Sequence, residues 1–112
     1  MSTEISDSSP LSEVLQQADL VQYQTGSIVS RMLVKRPSGN VTAFAFDQGE
    51  SLAEHTEPFD ALVLMIEGVA EISISIISHR LHAGQMLLLP AGQPHAIKAI
   101  TKFKMILVMI KA

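Results

Sequence analysis

Gly49-Glu50-Ser51-Leu52-Ala53-Glu54-His55-Thr56-Glu57-Pro58-Phe59-Asp60-Ala61-Leu62-Val63-Leu64-Met65-Ile66-Glu67-Gly68 is the stretch that decides the fold. Glycines close both ends, where tight turns between strands need positive φ or close backbone approach. His55 and Glu57 stand two apart, so in an extended chain their side chains point to one face. A second stretch begins at Gly84 and reaches Pro90-Ala91-Gly92-Gln93-Pro94-His95. The prolines flank a corner at a strand end, where a missing backbone donor does no harm.

Working outward, the period of the apolar residues is two over most of the chain. Strands are predicted at Ser27 to Lys35, Val41 to Phe46, Leu62 to Ile66, Ala70 to Ile74, Met86 to Leu89, His95 to Ala99 and Phe103 to Ile110. Pro37-Ser38-Gly39-Asn40 reads as a turn. Many short strands with frequent turn signals predict an all-β antiparallel barrel. Ahead of it, Met1 to Pro10 reads as a polar tail, and Pro10 to Gln17 as a short helix capped by Ser9. Residues 1–19 are thus tail and helix, and residues 20–112 the barrel.

Composition narrows the function classes. With 112 residues, 47% apolar and only 17% charged, one small domain must hide much apolar surface, inside a barrel or against another copy. The net charge of -3 and the lack of a basic run argue against nucleic acid and anionic membranes. There is no cysteine, so a metal would need His, carboxylate or water. The polar N-terminus does not resemble a signal peptide, and Met105 to Ile110 is too short to span a bilayer. A cytoplasmic protein is expected. From Met105 onward both strand faces are apolar, so both need cover. A homodimer supplies it, or else the N-terminal helix with Leu11, Val14 and Leu15.

The two stretches together resemble the motifs of the cupin family, over about Ser27 to Ile110. The first motif runs Gly, five residues, His-x-His, three residues, Glu, six residues, Gly. Here Gly49, His55, Glu57, Ala61 and Gly68 keep that spacing. The second runs Gly, five residues, Pro-x-Gly, two residues, His, three residues, Asn, met here by Gly84, Pro90, Gly92, His95 and Ala99. The resemblance implies a jelly-roll barrel with His55, Glu57 and His95 turned inward, and with Ala61, Val63, Met65 and Ile97 lining the same interior. It also implies a homodimer.

Metal-binding cupins generally use three His and one Glu. Glu57 replaces the second His and Ala61 replaces the Glu, leaving two imidazoles and one carboxylate. That set resembles a facial triad, suited to Fe(II), Mn(II) or Zn(II) with open positions. The competing reading is a pocket that has lost its metal and keeps a polar cluster, in which burial lowers imidazole pKa values. The resemblance thus implies a small-ligand-binding cupin; the alternative is a metal-dependent isomerase, lyase or dioxygenase acting on a small polar substrate. His79 and His82 read as surface residues, and Met32, Met65, Met105 and Met109 as core or interface filling. Where relatives often carry Gly-Gly in a hairpin, Ser75-Ile76-Ile77-Ser78 predicts two exposed isoleucines.

Overall fold

The computed structural model describes residues 12–111. Among them the alternating pattern resolves into nine strands. These are β1 (Ile28–Arg36), β2 (Gly39–Phe46), β3 (Ser51–His55), β4 (Asp60–Glu67), β5 (Val69–Ile74), β6 (Ile77–His82), β7 (Met86–Leu89), β8 (His95–Ala99) and β9 (Phe103–Ile110). All pairings are antiparallel. One sheet has the order β1-β2-β9-β4-β7 and the other β3-β8-β5-β6. This is the all-β jelly roll expected from the sequence. Two strands went unpredicted, β3 and β6, whose polar residues hide the alternation. No helix among the described residues is long and apolar enough to cross a membrane.

The core lies between the sheets. Phe46 and Phe103 are wholly buried and stack at 4.5 Å, with Val63, Ile72, Leu89 and Met105 packed in the same cluster. Each such side chain contributes about 1.5–3 kcal/mol on burial. Gly68 turns β4 into β5 at φ +82°, and a Cβ there would collide with the Lys102 carbonyl. Glycine is therefore required at that turn.

The N-terminal helix is not formed as expected. Pro10 and Leu11 lie outside the described residues, as does the tail before them, and Glu13 to Gln16 are not helical. Among the described residues, 3-10 geometry is found at Ser12 and over the turn Gln17–Asp19. Val14 is fully exposed and so supplies no burial to offset the nucleation cost of a helix. The outer face of the five-stranded sheet is covered instead by the extended segment that follows. Leu20 and Val21 pack there on Leu33, Ala43, Ala45 and Ile106.

Polar bonds pin this segment. Arg31 donates to the Leu20 carbonyl at 3.0 Å, and buried Lys104 donates to the Ala18 carbonyl at 2.5 Å. The Tyr23 hydroxyl donates to Glu67 at 2.6 Å. Burial, and then that bonded carboxylate, push the phenol pKa well above its usual value. Cover is partial: Met86, Leu88 and Ile110 stay exposed on the outer face.

Candidate functional site at the barrel mouth

The site is assembled by strand register. His55 on β3 pairs with His95 on β8, and His95 pairs on its other side with Ile74 on β5. Alternation alone would not have done this. Leu52 faces Ile97 in the interior, and counting by twos from Leu52 reaches Glu54. A register shift between Leu52 and His55 inserts one residue and turns His55 to the concave side instead. The two sequence motifs are also bonded to each other. The Gly92 N–H donates to the Glu57 carbonyl at 2.8 Å, and the Ala91 N–H to the Asp60 carboxylate at 2.9 Å. Asp60 thus leaves the interior and caps the turn before His95.

His95 is 5% exposed, whereas the side chains of His55 and Glu57 are 40% and 31% exposed. The two imidazoles meet edge to face, with centroids 4.4 Å apart. His55 Nδ1 lies 2.9 Å from the Ala53 carbonyl, which can only accept, so Nδ1 carries the proton. His55 Nε2 stands 3.7 Å from Glu57, within ion-pair range but too long for a hydrogen bond. The Nδ1 of His95 is buried and makes no hydrogen bond of good geometry, although the Gln93 backbone is close enough to act on the ring. Burial, and then the neighbouring His55, lower the His95 pKa; the Gln93 backbone and Glu57 oppose that shift.

The expected interior residues face inward. Ala61, Val63, Met65 and Ile97 all belong to the packed core beneath the imidazoles. The metal expectation fares differently. Among the described residues no group of three or more His, Asp or Glu side chains is arranged to hold an ion. His55 pairs separately with Glu57 and with His95, and Ala61 offers no donor in the place of the missing carboxylate. As arranged, the residues do not fit a metal.

Of the other histidines, His82 is exposed as expected. His79 is half-buried and shares the face of core residue Ile72, across from which it pairs. A groove of about 290 Å³ opens on the opposite face of this sheet, lined by Ser51, Glu71, Ser73, Ser78 and Lys98. There Arg80 and Ser78 already bond Glu71, each at 2.9 Å.

The cupin-domain family matches residues 43–111. The chain belongs to the cupin family. Its fold is similar to that of a conserved protein of unknown function from Streptococcus pyogenes, with 37% identity and a TM-score of 0.85, covering 89% of this chain and 88% of that one. It is similar to a cupin superfamily protein from Desulfitobacterium hafniense at 27% identity and a TM-score of 0.85, covering 89% and 92%. It also resembles a cupin 2 conserved barrel domain protein from Leptotrichia buccalis, at 38% identity and a TM-score of 0.81. That match covers 84% of this cupin and 46% of the relative. No curated protein matches.

The buried His95 makes the cupin sensitive to acid. Well above about pH 6.5 the folded chain carries no penalty from it. As pH falls further, the unfolded chain takes up the proton first, and stability declines until the lowered folded-state pKa has been passed. Glu71, bonded by Arg80 and Ser78, and Asp47, bonded by the Gly26 and Gln48 N–H groups, are held below their usual range. Their contribution is lost only in more acid solution. Melting temperatures from pH 7.5 to pH 5 should fall in the wild type and fall less in His95→Gln. Parallel decline in both would show that His95 is not the cause.

Proposed function

We propose that this cupin binds a small polar ligand at the barrel mouth, on His95, His55 and Glu57. The observation that carries the reading is the partnerless Nδ1 of His95, buried beside two half-exposed polar groups. A buried polar atom left unpaired costs about 1–3 kcal/mol. Beside it the part-exposed side chains of His55 and Glu57 are open to a ligand. Above its lowered pKa His95 is a neutral imidazole, able to accept or donate a hydrogen bond. With the Glu57 carboxylate it forms a donor–acceptor set suited to a small polar molecule.

Titrating isotopically labelled protein with acetamide should shift the His55 and His95 ring resonances in one saturable step. His95→Phe should abolish that step. No saturable shift at either ring would contradict the reading.

The second reading is a metal-dependent isomerase, lyase or dioxygenase on a small polar substrate, with Fe(II), Mn(II) or Zn(II). Its support is the part-exposure of His55 and Glu57, which leaves both side chains room to turn. Ala61→Glu separates the readings, since position 61 faces the interior. In chelator the variant should lose about 2–5 kcal/mol through its buried carboxylate, and regain stability when the ion is added. The wild-type melting temperature should not move with any of the three ions. A rise of several degrees in the wild type would favour the metal reading.

We also propose a homodimer through the outer face of the five-stranded sheet. Exposed Leu88 and Met86 continue there into Leu62 and Leu64 of the neighbouring strand. Light scattering at micromolar concentration should give twice the 12.1 kDa chain mass. A monomer mass would contradict it.

A further inference from the structure

One transverse row crosses the concave face of the four-stranded sheet at its open end. His55 pairs with His95, His95 with Ile74, and Ile74 with Ile77. Directly paired residues lie on the same face of a sheet, so all four side chains share one side. Half of the row is imidazole and half is aliphatic. Ile74 packs on the core, but Ile77 is 61% exposed. A lone exposed isoleucine needs no explanation. This one continues a row that contains the buried His95.

The hairpin that carries Ile77 is held at the mouth. Ser75 has φ +55°, a conformation that costs a non-glycine residue about 1–2 kcal/mol. Its N–H donates at 2.8 Å to the carbonyl of Pro94, the residue before His95. The strained turn is therefore tied to the turn that presents the histidine. Beside it Ile76 is 98% exposed.

We propose that the row His55–His95–Ile74–Ile77 selects an uncharged amphiphile, with its polar head on the histidines and a short aliphatic tail across the two isoleucines. This deepens the ligand-binding reading of the same site and rests on it. The charge pattern sets the head group. The Glu57 carboxylate stands 3.7 Å from the His55 ring, so a carboxylate head on the histidines would meet a carboxylate. A primary amide or an alcohol carries both a donor, for Glu57 or the His55 Nε2, and an acceptor, for an imidazole N–H. Ile74 and Ile77 lie one and two strand spacings from His95, about 5 and 10 Å. A tail of a few carbons thus reaches Ile74 first and then Ile77.

The test is a chain-length series on the full-length protein, read by ring resonances of His55 and His95 and by methyl resonances of the isoleucines. Hexanamide should bind at least about tenfold tighter than acetamide, and should shift the Ile74 and Ile77 methyls as it saturates the rings. Hexanoate should bind more weakly than hexanamide. Ile77→Ser should cost hexanamide about three- to tenfold in affinity and change acetamide by less than about twofold. Lys98→Ala, on the opposite face of β8, should change neither. If acetamide binds and the tail adds nothing, the row proposal falls while the site stands. If no amide moves either ring, both fall. If Ile77→Ser alters the oligomeric mass and not the affinity, Ile77 serves an interface between copies and the proposal is overturned.

Discussion

The backbone pairing of β8 between β3 and β5 is the constraint on which the mouth of this barrel depends. That register places His95 opposite His55 on one side and Ile74 on the other, and the extra residue in β3 is needed to achieve it. The ladders on both sides fix the face of β8 that carries the His95 imidazole, and that face is the barrel interior. The ring stays buried, its charged form is disfavoured, and its Nδ1 stays unpaired. The chemistry of the mouth follows from a strand register rather than from the histidines alone.

The surrounding structure holds that register. Three bonds lace the open end: Gly92 to Glu57, Ala91 to Asp60, and Ser75 to Pro94. Two of them join the loop after β3 to the turn before β8, so the two histidine-bearing segments are positioned together. At the other extreme of the design, β9 lies in the middle of its sheet and needs cover on both faces. Phe103 and Met105 supply the barrel core, while Leu20 and Val21 sit against Ile106 from outside. The charged Lys104 is tolerated on that covered face because the Ala18 carbonyl and the Tyr23 ring receive its ammonium.

Where glycine or proline brackets an apolar run, the sequence was legible to the residue. Met86 to Leu89, which Gly84 and Pro90 bracket, and His95 to Ala99, which Pro94 opens, have the predicted limits, as does Phe103 to Ile110, which lysines flank. The two motifs identified the family and its fold. They also named His55, Glu57 and His95, of which His55 lies against each of the other two separately. What stayed hidden depended on pairing. The shift in β3 has no signature in Leu52 to His55. The alternation of β6 is masked by Ser78, His79 and Arg80, so the inward phase of His79 and the place of Ile77 in the row could not be read. The helix expected over Pro10 to Gln17 begins outside the described residues, and over Glu13 to Gln16, where Val14 is fully exposed, the chain is not helical.

The central claim is that a neutral, desolvated His95 receives the head of an uncharged ligand. The most direct measurement is the affinity for hexanamide as a function of pH, with the His95 ring titration followed in the same samples by NMR. Affinity should hold constant above the His95 midpoint and weaken as the pH falls through it, and saturating hexanamide should move that midpoint lower still. Affinity that rises on acidification, or a midpoint that hexanamide moves upward, would contradict the account.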